Sequence, residues 1–147
     1  MLLASSLETE RFGMDLADWL RVGDVVALFG DLGAGKTTLC RGVLHGLGFA
    51  GEAVSPTFPI VQVYDAPDVR IPLWHVDLYR IESPAELEEL ALDEARAVAA
   101  LLIEWPERME GLLWPDSLRL RLSVAGEGAR SLTAEVPPAW EGRWPLR

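Results

Sequence analysis

Residues 30–37 read Gly30-Asp31-Leu32-Gly33-Ala34-Gly35-Lys36-Thr37, a complete G-x-x-x-x-G-K-[ST] phosphate-binding loop. The glycines let the backbone turn so that successive N–H groups point toward bound phosphates. Lys36 reaches the terminal phosphates, and the Thr37 hydroxyl can bind Mg²⁺. Lys36 is also the only lysine among the 13 Lys and Arg residues of the chain, and arginine is a poor substitute for a compact ammonium group in a tight loop. The motif therefore predicts a nucleotide-binding protein.

The sequence on either side of the loop supports this interpretation. The apolar run Val25–Phe29 is typical of a buried parallel strand, and the proline-free run Lys36–Leu47 is typical of a helix. The helix N-terminus then faces the phosphates and adds its partial positive charge. We expect the nucleotide phosphates to contact Asp31, Leu32, Gly33, Ala34, Gly35, Lys36, Thr37 and Thr38. The order of strand, loop and helix disfavours the alternative of a glycine-rich turn that matches the motif by chance.

Length and composition limit the class of protein. With 147 residues, of which 50% are hydrophobic, we expect residues 1–147 to form a single α/β domain, a P-loop NTPase without a large second lobe. The net charge of −10 argues against a protein that binds nucleic acid directly, so any interaction with RNA should be mediated by a partner protein. The sequence has no apolar run long enough to span a bilayer and no signal-peptide core, which predicts no membrane association and a cytoplasmic location.

Apolar periodicity and turn residues predict the other elements. Ser83, Pro84 and Glu86 have the spacing of a helix start, with a capping serine, proline at the first position and glutamate at the third. The predicted elements are a short helix at 14–20, a loop at 54–59, antiparallel strands at 60–64 and 73–77, one or two helices within 84–99, strands at 100–104, 118–124 and 132–136, and a flexible tail at 137–147.

Two acidic residues are candidates for catalysis because each ends an apolar strand. A nucleotide-hydrolysing site needs a carboxylate near Mg²⁺ at such a position. Glu104 follows the more continuous apolar run and is favoured as the Mg²⁺ carboxylate together with Thr37. Asp77 follows a run with a proline and a histidine, which suits an edge strand, and we expect it to orient or deprotonate the attacking water. Either acid could instead cap the turn that follows it.

Other polar residues receive more limited predictions. Thr57 lies in a proline-stiffened loop at the distance from the P-loop where small GTPases keep a threonine that senses the terminal phosphate. Arg80 could neutralise charge on the transferred phosphoryl group, or form a surface ion pair. His45, His75 and Cys40 show no pattern of metal or acid–base chemistry, so we interpret them as structural, with Cys40 buried. The chain has no asparagine for the guanine-binding signature, which favours ATP over GTP.

Four motifs occur in order along the chain: the P-loop extended to Thr38, Ser55-Pro56-Thr57-Phe58, His75-Val76-Asp77-Leu78-Tyr79-Arg80, and Ile103-Glu104-Trp105. Taken together, they resemble the bacterial TsaE (YjeE) family of small ATPases. The resemblance implies a three-layer P-loop fold with a mixed parallel and antiparallel sheet. It also implies an accessory ATPase that acts with TsaD and TsaB in forming threonylcarbamoyladenosine (t6A) in tRNA, and that touches tRNA only through the complex.

The resemblance also assigns roles to individual residues. It implies that the P-loop binds ATP, that Thr37 and Glu104 hold Mg²⁺, and that Asp77 and Thr57 complete the hydrolytic site. Thr9 matches a family threonine where the chain folds over the adenine, and Arg130 matches a C-terminal arginine near the nucleotide.

Two alternatives remain open. A small-molecule P-loop kinase would need an acceptor pocket with an arginine-bearing lid, whereas the segment after Asp77 holds Arg80 and then an acidic helix. A nucleotide-gated assembly factor that does not hydrolyse ATP would differ mainly in the role of Asp77.

Overall fold

The structure, a computed structural model, describes residues 1–53 and 60–144, and its seven strands in that part of the chain form one sheet. The strands are β1 (Leu2–Leu3), β2 (Val25–Phe29), β3 (Val61–Tyr64), β4 (Leu73–Asp77), β5 (Ala100–Glu104), β6 (Leu118–Val124) and β7 (Arg130–Glu135). The helices are α1 (Ser6–Ala17), α2 (Lys36–Gly46), α3 (Pro84–Glu89) and α4 (Leu92–Arg96), with 3₁₀ turns at Pro106–Met109 and Pro138–Trp140.

The sheet is mixed, as the family resemblance implied. Its strand order is β1-β7-β6-β2-β5-β4-β3, so the P-loop strand β2 lies at the centre. β2 runs parallel to β5 and β6, and β5 runs parallel to β4. The outer pairs β3–β4, β6–β7 and β1–β7 are antiparallel. This arrangement gathers the carboxyl ends of β2, β5 and β4 at one edge of the sheet, where α/β proteins bind ligands.

One prediction about this sheet was wrong. The proline and histidine before Asp77 suggested an edge strand, but β4 lies between β5 and β3, and β3 is the edge. Pro72 precedes the strand and accepts a hydrogen bond from Ala100 through its carbonyl, so its missing N–H does not interrupt the ladder. His75 is buried, and its ring has a polar partner, described below.

Helices cover both faces of the sheet and give three layers. Alternate residues of each central strand face opposite apolar clusters: Val26 and Leu28 face the cluster that includes α1 and α2, while Val25 faces the cluster that includes α3 and α4. Gly42 lets α1 and α2 pack closely, since a Cβ there would lie 2.0 Å from the carbonyl oxygen of Glu10. No helix within the described ranges is long and apolar enough to cross a membrane.

The first helix differs from its prediction. We expected a helix at 14–20, but α1 begins at Ser6 and ends at Ala17. The Ser5 side chain caps it by accepting a hydrogen bond from the Glu8 N–H at 3.2 Å. Serine followed three residues later by glutamate is a helix-start pattern that the sequence contains and that the prediction missed.

The C-terminal residues also differ from expectation. A flexible tail was predicted from residue 137, but the structure packs residues 137–144 against the domain. Trp140 is completely buried, and Arg143 donates two hydrogen bonds of 2.7 Å to the Asp24 carboxylate. Trp144 contacts Phe12 edge to face. Residues 145–147 lie outside the described part of the chain.

Candidate nucleotide-binding site

The phosphate-binding loop connects the central strand to the start of α2. β2 ends at Phe29, and α2 begins at Lys36. Gly35 precedes the helix with φ 103°, a left-handed conformation that glycine adopts without steric cost. Glycine also places no side chain over the first N–H groups of the helix. The loop therefore leads into a helix N-terminus, whose first-turn N–H groups have no partner within the helix, and this is the arrangement that binds phosphate.

Lys36 is positioned over this loop by two contacts. Its Nζ donates a hydrogen bond to the carbonyl oxygen of Gly30 at 2.6 Å. The same Nζ lies 3.9 Å from the centre of the Trp105 ring, a cation–π contact. The residue is buried, and its ammonium group is therefore held at the loop before any phosphate arrives.

Arg130 holds the loop from the opposite end of the sequence. Its Nε donates to the carbonyl oxygen of Ala34 at 2.9 Å, and its Nη2 donates to that of Gly33 at 3.0 Å. A Cβ on Gly35 would lie 3.5 Å from the Arg130 Nε. The structure thus brings Arg130 to the P-loop, and its implied place near the nucleotide stays a prediction. The two bonds from Arg130 go to carbonyl oxygens and occupy no N–H group of the loop.

The two candidate carboxylates lie side by side next to the P-loop strand. Asp77 ends β4 and Glu104 ends β5, and their Cα atoms are partners in the parallel ladder. Glu104 is in turn opposite Leu28 of β2. Both acids are buried, at 8% and 4% exposure respectively. Two buried carboxylates beside a phosphate-binding loop form a candidate hydrolytic centre.

His75 is a functional candidate that the sequence analysis missed. Its Nε2 lies 2.6 Å from Glu104 Oε2, and both side chains are buried. We interpreted His75 as structural, although its spacing of two from Asp77 on a strand places both side chains on one face. That spacing was the signal in the sequence for a functional role of His75, because it puts His75 on the same face of the strand as the predicted site residue Asp77.

Burial changes the protonation of two groups in this cluster. Burial raises the pKa of Asp77, and the hydrogen bond that its Oδ1 accepts from the Tyr79 N–H partly opposes this. Burial, and then the charge of Glu104, raises the pKa of the Cys40 thiol well above its usual value. Cys40 is therefore a buried thiol, as predicted. One ligand atom each from Cys40, His75 and Glu104 lie within 4.8 Å of one another.

Comparison with known proteins identifies the family. The family model described as "Threonylcarbamoyl adenosine biosynthesis protein TsaE" matches residues 3–132. The chain belongs to the TsaE family.

Curated TsaE proteins resemble the chain over most of its length. The TsaE of Streptomyces coelicolor is 42% identical over 139 residues, covering 84% of this chain and 94% of the relative. The TsaE of Bacillus subtilis is 39% identical, covering 86% and 78%. Both relatives are named as tRNA threonylcarbamoyladenosine biosynthesis proteins.

A solved structure agrees with the TsaE assignment. The crystal structure of Bacillus subtilis YdiB superimposes with a TM-score of 0.80 and 31% identity, over 96% of this chain and 87% of that one. The resemblance noted from the four motifs and the α/β fold are therefore confirmed. The residue roles that the TsaE resemblance implied remain predictions.

The other predicted TsaE site residues differ in how exposed they are. Asp31 and Leu32 are exposed at the tip of the P-loop, whereas Ala34 is buried. Thr9 is buried in α1, and its Oγ1 donates to the carbonyl oxygen of Ser5 at 3.3 Å, so this contact holds it to its own helix. Its predicted role near the adenine stays a prediction. Thr57 lies outside the described residues.

The donor set beside the P-loop fits Mg²⁺. Thr37 follows Lys36 in the first turn of α2, and Glu104 lies opposite the end of β2, so a hydroxyl and a carboxylate come from the same edge of the sheet. Hard oxygen ligands are those that Mg²⁺ prefers. The Cys40 thiol does not suit this ion, and burial keeps it protonated.

Two aromatic residues, Tyr79 and Trp105, pack together next to Lys36. The rings of Tyr79 and Trp105 lie 4.9 Å apart, and Arg108 lies 5.6 Å from the Tyr79 ring. Trp105 adopts a left-handed backbone conformation with φ 58°, which is uncommon for a large residue. Conformations of this kind persist where the surrounding structure fixes them, often at functional sites.

Proposed function

We propose that the protein binds and hydrolyses Mg-ATP, and that this activity supports t6A formation in tRNA through TsaD and TsaB. The observation that carries the proposal is the pairing of Asp77 with Glu104 next to the P-loop strand. The names of the TsaE relatives supply the biological setting. The absence of asparagine supports ATP over GTP.

The positions of the residues around the P-loop support the role that we propose for each. Lys36 and the N–H groups of the P-loop bind the phosphates, and Arg130 keeps the loop in shape through its carbonyl oxygens. Thr37 and Glu104 would hold Mg²⁺, and the bound ion would neutralise charge on the phosphate oxygens. Asp77 accepts a hydrogen bond from the attacking water, and its raised pKa suits a group that takes up a proton.

The reaction is a simple displacement. The water oxygen bonds to the terminal phosphorus as the bridging P–O bond breaks, giving ADP and phosphate, and the proton of the water passes to Asp77 and then to solvent. We assign Thr57 to sensing the terminal phosphate in this step. The Trp105 ring shields Lys36 from solvent, which strengthens the interaction of the ammonium group with phosphate.

The net charge and the TsaE family support the partners that we propose. A net charge of −10 disfavours direct binding to tRNA, so we propose that TsaD and TsaB carry the tRNA contact. The protein then acts as an accessory ATPase in the cytoplasm and is not the transferase. A small-molecule kinase is the less favoured alternative, because the helix after Arg80 is acidic and would repel an anionic acceptor.

The test is phosphate release from Mg-ATP by the purified protein, alone and with TsaD, TsaB and tRNA. We expect slow release alone, faster release with the partners, and at least about a hundredfold loss in Asp77→Asn and Glu104→Gln. Glu89→Gln, on the exposed face of α3, is the matched control and should be unaffected.

Two results would redirect the proposal. If phosphate is released only when a small acceptor is added, the protein is a kinase. If ATP is untouched in every mixture yet still tightens binding to TsaD and TsaB, the protein is a nucleotide-gated assembly factor, and the catalytic role of Asp77 is wrong.

A further inference from the structure

The contact between His75 and Glu104 is short, buried and formed across neighbouring strands. The two atoms, Nε2 and Oε2, are 2.6 Å apart, and both side chains are at most 5% exposed. A hydrogen bond in such a low-dielectric setting is stronger than the same bond in water. It therefore restricts the rotation of the Glu104 carboxylate.

The proposed function requires Glu104 to be an ionised carboxylate when it binds the metal. An ionised carboxylate only accepts hydrogen bonds, so in that state Nε2 is the N–H donor. Among the residues that the structure describes, the other nitrogen, Nδ1, has no hydrogen-bond partner. A buried polar atom without a partner costs stability, so a leucine would suit this core position better on packing grounds alone. The histidine thus calls for an explanation beyond packing.

The strand geometry links His75 to the proposed chemistry. Asp77 and Glu104 are ladder partners, and His75 is two residues before Asp77 on the same face of β4. His75 therefore reaches Glu104 diagonally across the strands. One strand supplies both the residue proposed to contact water and the residue that holds the neighbouring carboxylate.

We propose that His75 is a positioning residue, which holds Glu104 Oε2 so that Oε1 is presented to the metal or to a metal-bound water. This inference rests on the proposed function, in which Glu104 is the metal carboxylate. Groups that hydrogen-bond to a metal ligand fix its orientation, and their loss typically lowers metal affinity or activity 10- to 100-fold.

The chain allows a matched set of variants at this position. In His75→Gln the amide nitrogen can occupy the place of Nε2 and still donate to Glu104. In His75→Asn the shorter side chain places its amide near the position of Nδ1, out of reach of Glu104. His75→Leu removes all polar atoms and keeps an apolar side chain in the core. Glu104→Gln tests the metal carboxylate itself.

The measurement is the affinity for a non-hydrolysable ATP analogue by calorimetry, with excess Mg²⁺ and with EDTA, which needs no turnover. The readout is the ratio of the two affinities. We expect His75→Leu and His75→Asn to reduce the ratio of the affinity in Mg²⁺ to the affinity in EDTA roughly tenfold. Their affinity in EDTA should stay within about twofold of the wild-type value. His75→Gln should retain most of the Mg²⁺ effect.

The outcomes separate this inference from the proposed function. If Glu104→Gln abolishes the Mg²⁺ effect but both His75→Leu and His75→Asn keep it, His75 does not position Glu104, and the proposed function survives. If Glu104→Gln keeps the full effect, or the wild type binds no ATP analogue, the metal or nucleotide assignment fails and the inference fails with it. If His75→Leu does not fold, the comparison of Gln with Asn still decides, because equal Mg²⁺ effects in both would overturn the inference.

Discussion

Arg130 binds the P-loop through two carbonyl oxygens, with Nε 2.9 Å from that of Ala34 and Nη2 3.0 Å from that of Gly33. The arginine begins β7, 96 positions after Ala34. Its guanidinium spans both oxygens with its fixed fork of donors, which a lysine could not reproduce. The shape of the loop therefore depends on a strand from the other end of the chain.

Removing this arginine should weaken nucleotide binding. We expect Arg130→Ala to lower ADP affinity roughly tenfold, about 1.4 kcal/mol, because the loop loses two charge-assisted hydrogen bonds and becomes less ordered before binding. Arg130→Lys should recover only part of the loss. Isothermal titration calorimetry measures both affinities.

The control for this prediction is Arg119→Ala on β6. Arg119 lies in register with Ala27 of β2 and Glu135 of β7, away from the loop carbonyls. Its removal should leave ADP affinity within about twofold. An Arg130→Ala protein that binds ADP as tightly as the wild type would show that the P-loop keeps its shape without the arginine.

The local parts of the site were predictable, because they depend on short stretches of sequence. The P-loop is one contiguous motif, and β2 and β5 are apolar runs that the sequence shows directly. Asp77 and Glu104 could both be named because each ends such a run. The local sequence pattern does not indicate which strands are neighbours in the sheet. For this reason β4 was wrongly predicted to be an edge strand.

The long-range contacts were the least predictable. Nothing near His75 in the sequence indicates that Glu104, 29 residues later, would be its partner. Arg130 was named only through the family resemblance, since an isolated arginine after a glycine-rich turn has no local signal. The hydrogen bonds of His75 and Arg130 both join segments that only the folded sheet brings together.

The pKa of Asp77 leads to a prediction on stability. Burial raises this pKa above its ordinary value of 3.8, so the folded state disfavours the ionised carboxylate. Ionisation of Asp77 therefore lowers the stability of the folded protein. This loss of stability is absent below the unfolded pKa, grows as the pH rises through the folded pKa, and is complete above the folded pKa. Asp77→Asn should therefore be more stable than the wild type at pH 7, and its advantage should shrink as the pH falls toward 3.8.

Chemical denaturation of both proteins across the pH range measures this difference. Asn keeps a side-chain oxygen that can accept the Tyr79 N–H bond, so the comparison isolates the charge. Asp68→Asn, at an exposed position, is the control and should show no comparable gain. A constant difference between Asp77→Asn and the wild type at every pH would contradict the prediction.

The C-terminal segment should contribute to folding, although it follows the region that the family model matches. Trp140 is completely buried, and the Arg143 guanidinium lies 4.1 Å from its ring while pairing with Asp24. We expect Trp140→Ala to lower the free energy of unfolding by about 3–5 kcal/mol, because it leaves a large cavity in the core. Trp19→Ala removes a partly exposed indole and should cost much less. Urea denaturation measures both. Equal losses in the two variants would show that the segment after residue 136 packs without stabilising the domain.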